Sequence, residues 1–85
     1  MATHEEYEVL NECYYSAMAT FDRLSLEYQI PKENYQEDQV RYQKIWTTQI
    51  KMRPLEEINY DETIEEMNHI IIAWEQKLDE LFSTM

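Results

Sequence analysis

The chain has 85 residues, of which 18 are acidic and seven are basic, so its formal net charge is −11. Such an acidic chain repels phosphate groups, which argues against direct binding to nucleic acid or to anionic membranes. It contains no glycine, on which hairpin turns and phosphate-binding loops depend, and its single cysteine, Cys13, excludes an internal disulfide bond. We therefore expect one all-α domain, residues 1–85.

The first predicted helix, residues 4–29, has apolar and aromatic side chains at alternating steps of three and four residues. These side chains are Tyr7, Leu10, Tyr14, Ala17, Phe21, Leu24 and Tyr28. This spacing places all of them on one face, which is typical of a helix packed against others. Thr3 followed by Glu6 predicts a capping box at the start of the helix.

The second predicted helix, residues 32–53, lies between the two prolines, Pro31 and Pro54. It begins either with Pro31 in its first turn or with Asn34 as its cap. Continuing the pattern gives an inner face of Tyr35, Asp38, Tyr42, Ile45, Gln49 and Met52. Two of these are polar, so the pattern is weaker here. Several residues have strand propensity, but the chain offers no second strand to pair with them.

The third predicted helix, residues 60–82, is capped by Asn59 or Asp61. Its predicted inner face consists of Ile64, Met67, Ile71, Trp74, Leu78 and Leu81. The neighbouring residues Ile70, Ile72, Ala73 and Phe82 widen this apolar face. Three helices joined by short links predict an antiparallel three-helix bundle with up-down-up order, either alone or as a homo-oligomer.

Charge is distributed unevenly along the chain, because the middle helix is cationic and the outer two are acidic. Residues 31–53 contain five bases and three acids, whereas residues 54–85 contain one base and nine acids. The stretch 41–54 has no acid, and its bases are Arg41, Lys44, Lys51 and Arg53. We expect these cations to lie between two rows of carboxylates and to reduce the repulsion between the acidic helices.

The acidic residues form the predicted partner-binding surface, because parallel first and third helices would bring their N-terminal ends together. The residues of this surface are Glu5, Glu6, Glu8, Glu56, Glu57, Asp61, Glu62, Glu65 and Glu66. Helix dipoles favour carboxylates in the first turn but not Asp79 and Glu80 near a C-terminal end. The acidity therefore exceeds what capping needs, and predicts an inhibitor or nucleic acid mimic that binds a basic protein, such as one that binds nucleic acid.

The seven tyrosines indicate an alternative function, a structural or assembly subunit that homo-oligomerises through its aromatic face. Tyrosine is enriched at protein interfaces, and its hydroxyl needs a partner when buried. The predicted oligomer interface consists of Tyr28, Tyr35, Tyr42 and Trp46. The competing interpretation is a wide core whose hydroxyl groups reach solvent at its edge.

Residues with catalytic potential are few. Glu66 and His69 have the Glu-x-x-His spacing of di-iron bundles, but the motif occurs once and lies away from the predicted inner face. Cys13 has no histidine or other base that the sequence places beside it. We therefore expect no enzymatic activity, no metal and no cofactor.

The first ten residues lack the pattern of a signal peptide, and the longest apolar run, residues 70–74, is too short to span a bilayer. We expect a cytoplasmic protein. In size, charge and helicity the chain is similar to bacteriocin immunity proteins and to phage-encoded inhibitors of host enzymes, although no motif supports this likeness. The resemblance implies a regulator of the phage or mobile-element type, which would act in the cytoplasm of the host cell.

Overall fold

The computed structural model of the protein describes residues 2–83. Three long helices make up most of the chain: α1 (His4–Leu26), α2 (Lys32–Trp46) and α3 (Tyr60–Ser83). A π-helical turn, Thr47–Lys51, extends α2, and a 3-10 turn, Leu55–Glu57, precedes α3. Residues 2–83 contain no strand, so the all-α prediction is confirmed. Each long helix contacts the other two, and the molecule measures 46 × 21 × 16 Å.

The helix starts follow the capping signals in the sequence. The Thr3 hydroxyl accepts from the Glu6 amide at 3.1 Å, and the Glu6 carboxylate accepts from the Thr3 amide at 2.9 Å, so the predicted capping box forms. Of the two predicted caps of α3, Asn59 is the one used, because its side chain accepts from the Glu62 amide at 3.1 Å. Pro31 occupies the cap position of α2 without a side-chain hydrogen bond.

The first helix ends at Leu26, three residues earlier than predicted. Gln29 has φ 55°, in the left-handed region that few residues other than glycine adopt. The chain reverses there, and the Ile30 amide donates to the Leu24 carbonyl at 2.8 Å. Pro31 disfavours helical geometry only in Ile30, the residue before it, so the left-handed Gln29 and not the proline accounts for the early end.

The core contains side chains from the predicted face of α1 and, from the predicted face of α2, only Tyr35 and Tyr42. Its buried members from these helices are Leu10, Ala17, Phe21, Leu24, Tyr35 and Tyr42. The Phe21 ring lies 6.1 Å from the Tyr35 ring and 6.3 Å from the Tyr42 ring, measured between centroids. Aromatic pairs at such distances add stabilisation beyond their buried area, so the alternating steps of three and four residues correctly place Phe21, Tyr35 and Tyr42 at the centre of the fold.

The π-helical turn changes which side chains at the end of α2 face the core. Ile50 is fully buried, whereas Met52 is 74% exposed, so the prediction that Met52 faces inward was wrong. A π turn contains one more residue per hydrogen-bonded ring than an α turn, and therefore rotates the residues that follow it. The apolar side chain that reaches the core is consequently Ile50.

The buried face of α3 is rotated slightly from the predicted one. Thr63, Met67, Ile70 and Trp74 are buried, while Ile64, Ile71 and Leu78 are half-buried at its edge. Leu81 is 55% exposed, so the prediction that it faces inward was wrong. The rings of Tyr28 and Phe82 have centroids 5.0 Å apart, so the last turn of α3 lies beside the loop after α1.

Candidate interaction surfaces

The acidic surface forms where the start of α1 meets the turn before α3. The Ala2 amide donates to the Leu55 carbonyl at 3.3 Å, which joins these two segments. Eight of the nine predicted carboxylates are exposed, and Glu6 is half-buried. The structure therefore brings Glu5, Glu6 and Glu8 to the same end of the molecule as Glu56 and Glu57, with the first turns of α3 next along the chain.

Few of these carboxylates are engaged by the protein itself. Glu6 is used in the capping box, Glu62 accepts from the Asn59 side chain at 3.3 Å, and Glu66 accepts from Gln49 at 2.7 Å. Within residues 2–83, the ion pairs closer than 4.0 Å are Arg23–Glu27 and Arg41–Asp38, and neither involves the acidic surface. Its charge is therefore carried by solvated groups.

The cations of the middle segment lie opposite the acids of α3 only in part. Arg41 and Lys44 line a groove of about 650 Å³ between α2 and α3, and Glu62, Glu65 and Glu66 line it as well. Across the described residues of this groove, no cation comes within 4.0 Å of a carboxylate of α3. The cations were predicted to lie between two rows of carboxylates. The structure instead has an open groove with one basic side and one acidic side.

The two polar residues that weakened the predicted face of α2 bind specific groups on α3. Asp38 accepts a hydrogen bond from the indole nitrogen of Trp74 at 2.8 Å. The Gln49 carbonyl oxygen accepts from the Thr63 hydroxyl at 3.0 Å, and the Gln49 amide nitrogen donates to Glu66 at 2.7 Å. The sequence analysis predicted neither hydrogen-bonded connection. The indole nitrogen of a buried tryptophan needs an acceptor, and this requirement could have predicted a polar partner for Trp74.

The predicted aromatic interface does not form a single surface. Tyr35 and Tyr42 are 5% and 1% exposed, whereas Tyr28 and Trp46 are half-buried. The Tyr42 hydroxyl donates to the Cys13 carbonyl at 3.1 Å, and burial raises the pKa of this hydroxyl above its usual range. These two tyrosines therefore belong to the core of the single chain. The most exposed aromatic side chain is instead Tyr15, at 68%.

Glu66 and His69, which the sequence offers as a metal-binding motif, both line the groove between α2 and α3. Glu66 and His69 are both exposed, and within residues 2–83 no three His, Cys, Asp or Glu side chains converge as metal ligands would. Burial and, to a smaller extent, the charge of Glu12 raise the pKa of the Cys13 thiol. Both effects disfavour the thiolate, which is the reactive form.

None of the helices in the described part of the chain has the length and apolar character needed to cross a membrane. Comparisons with protein-family models, with curated proteins and with solved structures found no match to this chain.

Proposed function

We propose that the chain is a non-enzymatic binding protein that uses its acidic surface to block or regulate a basic partner protein. The observation that supports this proposal is the gathering of exposed carboxylates at one end of the molecule, without an ion pair there among residues 2–83. Solvated charges of one sign attract a partner of opposite charge and accelerate its association.

The proposed framework is an antiparallel three-helix bundle with up-down-up order. The contacts that support opposite helix directions are Tyr14–Trp46 and Phe21–Tyr35 between α1 and α2, and Gln49–Thr63 and Asp38–Trp74 between α2 and α3. In each pair of helices, residue numbers rise along one helix as they fall along the other. The Ala2–Leu55 and Tyr28–Phe82 contacts support parallel directions for α1 and α3.

The chemistry of the partner follows from the charge and rigidity of this surface. Carboxylates fixed on helices and turns offer a basic protein an array of anions, as a nucleic acid backbone does. A protein that binds nucleic acid through lysine and arginine side chains is therefore the proposed target, and occupying that site would inhibit it. Such a role suits a small regulator of the phage or mobile-element type.

Charge neutralisation at this surface tests the proposal. A tagged variant carrying Glu57→Gln, Asp61→Asn and Glu65→Gln is compared with the wild-type protein in pull-downs from bacterial lysate, with elution by increasing salt. The expected result is a basic nucleic-acid-binding protein that the wild-type protein retains at low salt and the variant does not. Salt weakens such a contact because it shortens the Debye length.

A matched control removes the same charge elsewhere. Glu33, Glu37 and Glu75 are exposed and lie outside the acidic surface, so replacing all three by Gln gives an equal change in net charge. This control should retain the captured protein as the wild type does. Equal loss of binding in both variants would show that only net charge matters, and it would refute the proposed surface.

The alternative function is a structural subunit that homo-oligomerises through aromatic side chains. Of the predicted interface, only Tyr28 and Trp46 remain accessible on the single chain. The two functions respond oppositely to salt, because screening weakens an acidic contact with a basic partner but not an apolar contact between identical chains.

A further inference from the structure

The end of the molecule opposite the acidic surface exposes apolar side chains, and its positive and negative charges nearly balance. It is formed by the loop after α1 and the last turns of α3, which the ring contact between Tyr28 and Phe82 joins at 5.0 Å. A groove of about 870 Å³ lies there, and Tyr28, Ile30, Pro31, Trp74 and Phe82 contribute to its lining. We refer to this region, residues 23–33 and 77–83, as the apolar end.

Apolar side chains protrude from this end into solvent. Leu26 is 79% exposed and Phe82 is 42% exposed. Isolated exposed apolar side chains are common in proteins, but these two lie at an end that also contains a mainly apolar groove, whose lining includes the charged residues Lys77 and Glu80. This combination of a groove with protruding apolar groups gives the end both of the features that a self-complementary contact requires.

Charge distinguishes the two ends of the molecule. The apolar end contains four acids and three bases, a net charge of −1, and Arg23 is paired with Glu27 at 3.0 Å. The opposite end, residues 2–8 and 51–62, contains seven acids and two bases, a net charge of −5. The 23 residues of α1 separate the two ends by about 35 Å, several times the Debye length of about 8 Å at physiological salt.

We propose that the apolar end binds the same end of a second copy of this chain. Two copies with a net charge of −11 each repel one another strongly through their acidic ends. Contact through the apolar ends keeps the acidic ends far apart and covers Leu26, Phe82 and the groove. The dimer would present two acidic surfaces that point away from each other, and therefore bind a partner with two basic sites more tightly than one copy does.

Sedimentation equilibrium of the full chain over a range of concentrations tests the proposal. The wild-type protein is expected to approach twice the 10.5 kDa mass of one chain. Phe82→Lys and, separately, Leu26→Lys should raise the dissociation constant of the dimer at least about tenfold, because each removes buried apolar area from both copies. Circular dichroism confirms that each variant retains its helices, and the high exposure of Leu26 makes its replacement safe for the core.

Val40→Lys is the matched control, since Val40 is 53% exposed and lies in the middle of α2, away from the apolar end. This variant adds the same charge and should remain dimeric. Raising salt from about 0.05 to 0.5 M should preserve or strengthen the dimer, because salt screens the repulsion between like-charged copies. A wild-type protein that stays monomeric, a dimer that both end variants leave unchanged, or a dimer that salt dissociates would each refute the proposal.

A monomeric wild-type protein would leave the charge-neutralisation experiment unaffected, and a failure of that experiment would leave the measured mass unaffected.

Discussion

Asp38→Ala tests whether the polar residue in the middle of α2 holds that helix against α3. Asp38 accepts a hydrogen bond of 2.8 Å from the indole nitrogen of Trp74, whose side chain is only 4% exposed. Replacing Asp38 by alanine removes the acceptor and leaves a buried N–H group without a partner. The substitution is therefore expected to destabilise the fold, although it removes an acidic group from a protein with an excess of them.

The size of the effect follows from three contributions. A hydrogen bond to a charged group contributes about 1.5–3 kcal/mol. The ion pair with Arg41, 3.8 Å long and largely exposed, contributes at most about 0.5 kcal/mol. Alanine has a higher helix propensity than aspartate, which stabilises the variant by a similar amount and offsets the loss of the ion pair. We expect a net loss of about 1.5–3 kcal/mol in the free energy of unfolding, which lowers Tm by roughly 6–24 °C for a domain of this size.

Urea unfolding, followed by far-UV circular dichroism, measures this loss. Glu37→Ala is the control, because the exposed neighbour Glu37 carries the same charge on the same helix and should change stability by less than about 0.5 kcal/mol. Asp38→Asn keeps an acceptor oxygen and should recover much of the loss. If Asp38→Ala and Glu37→Ala unfold at the same urea concentration, the hydrogen bond to Trp74 contributes nothing and the reasoning fails.

Three further predictions concern the turns and the core. Ile50→Ala should lower the free energy of unfolding, measured with urea, by about 2–5 kcal/mol, and Met52→Ala should lower it by less than about 0.5 kcal/mol. In an uninterrupted α-helix Met52 would face the core, and its replacement would have the larger effect. Gln29→Gly should raise the free energy of unfolding by up to about 1 kcal/mol. The left-handed conformation costs a residue with a Cβ atom about 1–2 kcal/mol, and glycine adopts it without this cost. Gln36→Gly, in the middle of α2, should lower the free energy of unfolding by about 1 kcal/mol, and equal signs for the two glycine variants would contradict this account of the turn. The raised pKa of Tyr42 means that its contribution to stability is complete below about pH 10, the unfolded value, and declines above it. Tyr42→Phe should therefore flatten the alkaline loss of stability measured by urea unfolding, and an unchanged slope would show that other groups cause it.

The features that could be predicted from the sequence are those that depend on nearby residues. The capping box needs only Thr3 and Glu6, three residues apart, and it forms as predicted. The alternating steps of three and four residues along α1 identify Leu10 and Phe21 as core residues, because a helix of this length has one continuous apolar face. Pro31 correctly indicated that the first helix ends before it. It did not indicate that the helix ends as early as Leu26.

The features that could not be predicted depend on residues distant in the sequence. Gln49, in the π-helical turn, hydrogen-bonds Thr63 and Glu66, which lie 14 and 17 residues further along the chain. No pattern of neighbouring residues predicts contacts at this separation. The sequence therefore predicted a regular helix with Met52 on its inner face. In α3 the continuous apolar run 70–74 is compatible with several buried faces, and only packing against the other helices selects the one centred on Met67 and Ile70.

The sequence predicts that the carboxylates of the acidic surface are exposed, but it does not show which of them lie opposite a cation. Arg41 and Lys44 face carboxylates of α3 across an open groove, so their charge reduces the negative field there even without close ion pairs. The end formed by residues 2–8 and 51–62 retains a net charge of −5 although it includes two bases. Because Coulomb attraction is screened within about 8 Å at physiological salt, a basic partner responds to this local surplus and not to the charge of the whole chain. A basic partner is therefore expected to bind at the end of the molecule where α1 and α3 begin, and the groove beside α2 is the less favourable position.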